Sequence, residues 1–362
     1  MRRIWKLLGG GILAVSYKLR WTLRAGRAGR EEVGKILELE LDEYHYARYF
    51  YAFVKAFSLE GYTVVLRSPP EILLSLSRAQ YGGLILDDLL VRYEVTMRPK
   101  GSFLKFGRDG LPKRIEPSDL PDPEARDSVH GVYEVPMAQH PNMYKLGYWN
   151  ASIDGGMEDP LKSVLFVGNC DEGIYQRIEE ERSFAVVGRT RILKALRCAE
   201  KFREICDPAD LYKEEPGTIN VLRTDQVSIE QEKFRQILSR YRFFLCAPGA
   251  FMPLCHNLVE ALSVGAIPII QDEYVKLLSP PLRDLIDAFV FHGEGDLLET
   301  IKTACDAPDY QLSEMAVRVR AYYENNLSPS AVVRNCEAPE VKEIRLLAGK
   351  LSMDLRGERL GL

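Results

Sequence analysis

The chain has 362 residues, 46% of them hydrophobic and 28% charged, with a formal net charge of −4. That length exceeds what one hydrophobic core fills and predicts two domains, while the acidic balance excludes a general nucleic-acid binder, whose domain would be basic. Seven scattered cysteines, with no C-x-x-C pair and no zinc spacing, exclude a disulfide framework or zinc module and favour a reducing, cytoplasmic compartment.

In chain order, residues 1–30 come first as a separate segment. Arg2, Arg3, Lys6, Lys18, Arg20, Arg24, Arg27 and Arg30 precede the first acid, Glu31, and are interleaved with Trp5, Leu7, Leu8, Ile12, Leu13, Tyr17, Trp21 and Leu23. The uncharged stretch after Lys6 is too short to span a bilayer. A basic, aromatic-rich amphipathic segment fits a peripheral position on an anionic membrane surface, on the inner face; a disordered basic tail or a helix packed on the domain is the alternative.

Residues 31–150 read as an alternating β/α half. Lys35 to Leu41 alternates with the period of a strand, and Asp42, Glu43 and His45 follow its carboxyl end. A helix is predicted from about Tyr46 to Leu59, with Phe50, Phe53, Val54 and Phe57 on its apolar side. It closes at Gly61 and gives way to a strand from Tyr62 to Arg67. Pro69 and Pro70 start a short helix, and a strand at Leu84 to Leu86 is expected to end at Asp87 and Asp88. Residues 97–130, rich in Pro, Gly and charge, read as a long loop. A strand from Val132 to Val135 and a Gly- and Pro-bearing linker near Tyr148 to Pro160 close this half.

Residues 151–335 restart the alternation. A strand from Ser163 to Val167 ends in Gly168 and Asn169, and Gly188, Arg189, Thr190 and Arg191 stand ahead of a helix running to about Cys206. A strand at Thr218 to Leu222 and helices at Ser228 to Tyr241, Asp296 to Cys305 and Gln311 to Asn325 are predicted, with a strand at Ala288 to Phe291. Residues 336–362 are expected to form a C-terminal helix, from about Glu340 to Leu351, that crosses back to the N-terminal domain.

The most informative stretch is Tyr241 to Tyr274. It reads as a buried strand (Phe243 to Ala247), a Pro248-Gly249 turn, a loop, a helix (Leu254 to Val264) and a second buried strand (Ala266 to Ile270), which makes one βαβ unit of a parallel sheet. The loop opens at the carboxyl end of a strand, where open α/β sheets bind ligands, and the helix start points unpaired N–H groups at whatever sits there. His256, Asn257 and Glu260 lie in the first turns of that helix. For Glu260 alone, a solvated helix carboxylate is the bland alternative.

The strand, Pro-Gly turn, helix carrying Glu260-Ala261-Leu262 and following Gly265-Ala266-Ile267-Pro268-Ile269-Ile270 resemble the nucleotide-sugar site of GT-B glycosyltransferases, most closely the exostosin-like family. The resemblance implies an α/β fold of two Rossmann-like domains facing across a cleft. It further implies transfer of a sugar from a nucleotide-sugar donor to a hydroxyl of a glycan or lipid-linked acceptor in polysaccharide assembly, with no cofactor and no metal required. Glu260 takes the ribose-binding role, and Gly168, Asn169, Pro248, Gly249, His256 and Asn257 line the donor pocket. Arg189 and Arg191 match the family's basic element and would grip the diphosphate; a surface salt bridge is their alternative. Many retaining relatives carry a second Glu eight positions before the ribose Glu. Here that position is Met252, which leans toward an inverting reaction.

An inverting transfer needs a general base for the acceptor hydroxyl. Asp42, Glu43, His45 and Asp87 are the candidates because each follows a predicted strand end, with helix capping the competing role for Asp42. The absence of G-x-G-x-x-G after a strand and of G-x-x-x-x-G-K-[ST] excludes nicotinamide-dependent and P-loop enzymes. A non-catalytic, two-lobed sugar- or nucleotide-binding protein is the competing class.

Overall fold

A computed structural model describes residues 34–43, 45–88, 90–96, 100–107, 109–118, 130–153, 159–175, 185–213, 215–250 and 252–347. The basic 1–30 segment therefore lies outside the described residues. Contacts divide the chain into one unit built from residues before 137 and from 329 onward, and a second unit, Met137–Ser328. The expected boundary at 150 thus moves upstream. Residues 137–149 join the second unit because their polar groups are used there: Gln139 Nε2 donates to the Tyr323 hydroxyl (2.9 Å) and Arg235 to the Trp149 carbonyl (2.7 Å).

In the first unit, strand β1 (Ile36–Glu40) buries Leu37 and Leu39 on alternate positions, as its period predicts. Helix α1 (Ala47–Leu59) buries Phe50, Phe53, Val54 and Phe57, with the Phe53 and Phe57 rings edge to face at 5.2 Å. Gly61, at φ +82°, turns the chain into β2 (Thr63–Ser68), which pairs parallel to β1 with Leu39 opposite Leu66. Helix α2 (Pro70–Arg78) begins at the second proline.

Two expectations fail next. Leu84 to Leu86 belong to a helix, α3 (Gly82–Asp87), and the strand comes later as β3 (Val91–Val95). A short apolar run fits either element, and tertiary packing decides: α2 and α3 approach so closely that a Cβ on Gly82 would overlap the Leu76 carbonyl. Asp87 and Asp88 consequently end a helix and not a strand. The stretch read as a long loop contains β4 (Phe103–Phe106) and β5 (Lys113–Ser118), antiparallel to each other, with β4 antiparallel to β1. Their shortness and the proline inside β5 hid them.

Strand β6 (Val132–Glu134) ends the N-terminal part of this unit. The second unit then intervenes with helix α4 (Pro141–Leu146), β7 (Leu161–Gly168), α5 (Arg189–Leu196), β8 (Phe202–Glu204), β9 (Ile219–Arg223), α6 (Gln231–Ser239), β10 (Tyr241–Cys246), α7 (His256–Val264), β11 (Ile267–Gln271), α8 (Asp272–Val275), β12 (Phe289–Phe291), α9 (Glu294–Asp306) and α10 (Asp309–Tyr322). The helix expected to reach Cys206 stops at Leu196, and β8 follows. The chain then returns to the first unit with helix α11 (Pro329–Glu337) and strand β13 (Glu343–Leu347). A helix was expected over 340–351, but Ile344 and Leu346 are both buried in strand alternation. β13 sits between β5 and β6, parallel to both, in a seven-stranded sheet of order β3-β2-β1-β4-β5-β13-β6. Lys113, 8% exposed, holds the end of α11 through its Nζ, which donates to the carbonyls of Cys336 (2.7 Å) and Ala338 (2.6 Å).

The second unit holds a six-stranded, all-parallel sheet of order β12-β11-β10-β7-β9-β8. β10 and β11 are buried at every position, as strands covered on both faces require. Val164, Phe166, Val221, Phe243, Leu245, Ile269 and Phe289 form the centre of its core. The chain leaves β7 to one side for β8 and β9 and crosses to the other for β10, β11 and β12. The order therefore reverses between β7 and β10, and in open α/β sheets such a switch point leaves a crevice at the strand carboxyl ends. Among the described residues no helix is long and apolar enough to cross a membrane.

Candidate functional site

The residues expected to bind the donor converge on the switch point of the second unit. Gly168 ends β7 and Asn169 follows it, Pro248 and Gly249 follow β10, and the first turn of α7 carries His256 and Asn257. The loop after β10 closes on itself, with the Gly249 amide donating to the Pro253 carbonyl at 3.0 Å; a Cβ on Gly249 would stand 2.5 Å from the Met252 carbonyl oxygen. Helix α7 then runs two turns and stops at Gly265, whose φ of +85° only glycine adopts without strain. Asn257 Nδ2 donates to the Val167 carbonyl (2.6 Å), tying the helix start to the end of β7. The Cys255 amide, at the N-cap, donates to the Tyr274 hydroxyl (2.6 Å).

Arg189 fastens these pieces together. It is 3% exposed, and its guanidinium donates to the Pro248 carbonyl (2.7 Å), the Asn169 carbonyl (3.0 Å), the Tyr175 hydroxyl (3.0 Å) and the Cys255 sulfur (3.3 Å). It also lies over the Tyr175 ring, 4.4 Å from the centroid. Its planar fork bridges the two strand ends on either side of the switch point, so its hydrogen-bond partners here are protein atoms. Gly168 is what admits it: a Cβ there would stand 2.7 Å from the guanidinium. Arg191, two residues on, is 53% exposed at the side chain and pairs with Glu294. The two arginines thus separate into a buried brace and a surface cation.

Glu260 is 1% exposed, with both carboxylate oxygens engaged. The His140 amide donates to Oε1 (2.9 Å), and Oε2 lies 3.0 Å from His256 Nδ1. Burial alone would raise its pKa, but the His256 imidazole and the His140 amide and ring outweigh that and hold it below the ordinary carboxylate value. The His140 and His256 rings meet edge to face with centroids 5.0 Å apart. The contribution of Gln139 and His140, more than a hundred residues from Glu260 in sequence, had no spacing signal to reveal it. Tyr175, Cys255 and Tyr274 carry no motif that marks them, although the last two lie within the Tyr241–Tyr274 stretch.

The candidate bases lie in the first unit. Asp42 exchanges two hydrogen bonds with Ser102, whose hydroxyl donates to Asp42 Oδ1 (2.7 Å) and accepts from the Asp42 amide (3.2 Å). Glu43 has a raised pKa, from partial burial and from the neighbouring Asp42 and Glu116 carboxylates. His45 is 1% exposed, with neither ring nitrogen hydrogen-bonded among the described residues, and burial pushes its pKa down to about 4. Asp87 loses its rationale as a strand-end acid, because it is the last residue of α3. Its neighbour Asp88 is committed to Lys55, with 2.6 Å between Nζ and Oδ2.

No protein-family model matches the chain and no curated protein matches it. Among solved structures it is similar to several glycosyltransferases. The spinosyn rhamnosyltransferase SpnG, complexed with spinosyn aglycone, is 14% identical, over 93% of this chain and 82% of that chain, with a TM-score of 0.33. The calicheamicin glycosyltransferase CalG4 is 11% identical over 84% of this chain and 98% of that one, with a TM-score of 0.38. TarM is 8% identical over 78% and 56%, with a TM-score of 0.34. At those values the likeness carries no argument about chemistry, which has to come from the side chains.

Proposed function

We propose that the protein is a GT-B glycosyltransferase of exostosin-like type, which binds a nucleotide-sugar in the second unit and transfers its sugar to a hydroxyl of a glycan or glycolipid. The observation that carries this reading is the convergence of Gly168, Asn169, Pro248, Gly249, His256 and Asn257 at the switch point of an all-parallel sheet, braced by Arg189. Two strand-end loops and a helix start meet there, the kind of place where an anionic donor binds. The leaving diphosphate gains negative charge as the glycosidic bond breaks. Amides at the start of α7 and the exposed Arg191 are the groups suited to offset it.

The acceptor hydroxyl must lose a proton during the attack. Glu43, whose partial burial and neighbouring carboxylates raise its affinity for a proton, is the group of the first unit best suited to take it; His45, as deeply buried as Glu260 and with its pKa pushed down to about 4, is the weaker candidate. Met252, in place of a second Glu, favours inversion at the anomeric carbon. The basic segment 1–30 adds attachment to anionic lipid on the cytoplasmic face, near a lipid-linked acceptor. Its test is sedimentation of the full chain with anionic vesicles at low salt.

A thermal-shift panel tests the central claim, because a ligand that binds only the folded state raises the melting temperature. A nucleoside diphosphate or nucleotide-sugar is expected to stabilise the protein, by about 2.7 kcal/mol at a hundred times its Kd. Stabilisation by free sugar and by no nucleotide would replace this reading with that of a non-catalytic sugar-binding protein.

A further inference from the structure

We propose that Glu260 serves the donor through His256: the buried carboxylate fixes the imidazole by Nδ1, and Nε2 is the group that meets the diphosphate. This rests on the nucleotide-sugar reading and assigns Glu260 a positioning role in place of the ribose contact that the family resemblance implies.

Access is the first ground. Glu260 is 1% exposed, whereas the His256 side chain is 26% exposed. A ribose hydroxyl would have to reach a carboxylate that is closed to solvent beneath the His140 amide, and the segment carrying that amide is pinned on both sides. Gln139 Nε2 donates to the Tyr323 hydroxyl (2.9 Å) and the Trp149 carbonyl (3.2 Å), and the Gln139 amide donates to the Tyr144 hydroxyl (3.3 Å). His140 Nδ1 in turn accepts from the Asn142 amide (3.2 Å), capping α4. Moving the strap would leave several buried polar groups unpaired.

Charge is the second ground. His256 is the first residue of α7, where the helix dipole disfavours a cation. A carboxylate one turn later, 3.0 Å from Nδ1, supplies the opposing charge. With Nδ1 committed inward, Nε2 is the remaining polar atom of the ring and the one left to meet a phosphate oxygen. The other groups acting on this pair are the His140 ring at 5.0 Å, Arg235 from α6, and Tyr323; Cys255 precedes His256 in the chain. Among these, Arg235 hydrogen-bonds to Ser263 (2.6 Å) and to the Trp149 carbonyl, which leaves His256 as the direct partner of the carboxylate.

Inorganic pyrophosphate, which has no ribose, separates the two roles. The full-length wild type, Glu260→Gln, His256→Ala and the double variant are titrated calorimetrically with pyrophosphate, and in parallel with UDP, GDP, ADP, CDP and dTDP. Glu260→Gln keeps the size of the side chain, removes its charge and turns one acceptor oxygen into an amide donor. It is expected to weaken pyrophosphate about tenfold, and the preferred nucleoside diphosphate by the same factor, the scale of one charge-assisted hydrogen bond. In the His256→Ala background the same change is expected to have less than about a twofold effect, because the group it positions is gone. Should Glu260→Gln fail to fold, an unchanged pyrophosphate affinity in His256→Ala alone overturns the proposal. Loss of nucleoside diphosphate affinity with pyrophosphate unaffected makes Glu260 a ribose contact and overturns the inference while the donor reading stands. So does a wild type that binds a nucleoside diphosphate but not pyrophosphate. A wild type that binds none of these diphosphates overturns both.

Discussion

His45 offers a direct test of how the first unit is stabilised. Its ring stacks on Phe50 at 5.6 Å, is 1% exposed and has no hydrogen-bond partner among the described residues for either nitrogen. Burial is the dominant influence and Asp42 opposes it weakly, so the pKa falls from 6.5 to about 4. The folded state therefore holds the imidazole neutral, while the unfolded chain accepts a proton as pH drops below 6.5. The stability tied to this group is fully present above pH 6.5 and is lost as pH falls through the window down to about 4. A gap of that size corresponds to about 3 kcal/mol in all, of which about 2.5 kcal/mol is gone by about pH 4.5. His45→Phe keeps the stacking and removes the titration. At neutral pH it should also gain about 1 to 3 kcal/mol, because two unpaired buried polar atoms disappear. Native-state hydrogen exchange of the β1 and α1 amides reads the stability of this unit by itself. Acidification should weaken the wild type and spare His45→Phe; parallel losses in both would refute the reasoning. A variant that gains stability and loses transferase activity would identify His45 as a residue kept for the acceptor.

Three further substitutions probe the braces. Gly168→Ala forces a Cβ against the Arg189 guanidinium and should cost about 1 to 3 kcal/mol, with weaker nucleotide binding; an unchanged melting temperature would mean the guanidinium moves freely. Lys113→Met removes a donor from the Cys336 and Ala338 carbonyls, and exchange of the α11 and β13 amides should accelerate, consistent with a loss of about 1 to 3 kcal/mol. Arg191→Ala removes a surface ion pair and should change stability by less than about 1 kcal/mol, while diphosphate affinity falls more than nucleoside affinity. Equal loss for both ligands would remove Arg191 from the phosphate site.

The sequence was most legible where one element's pattern decides its own conformation. Phe243 to Cys246 in β10 and Ile267 to Ile270 in β11 are apolar because both faces are buried, and the helix between them ends at a glycine that takes φ +85°. It was least legible where a distant partner decides. Leu84 to Leu86 become helical through their packing against α2, and Glu343–Leu347 become a strand because β5 and β6 pair with them. At the candidate site, sequence located Glu260 and His256 on one helix and offered His140 as a further candidate base without spacing support, but did not join the Gln139–His140 strap to the carboxylate. It likewise placed Arg189 and Arg191 together as phosphate ligands. Their difference in burial arises from the fold around Gly168 and Tyr175, which no spacing encodes.

The position of β13 sets an order of events during synthesis. Among the described residues β6 pairs only with β13, so before β13 exists β6 has no partner in the sheet, and the strand that joins it to β5 leaves the ribosome only after all of Met137–Ser328 has been made. Until then β5 carries an unpaired edge, the kind of surface that recruits foreign strands. The all-parallel unit, contiguous in the chain, has every strand of its own sheet in hand first, so the N-terminal half is the last part of the protein to close.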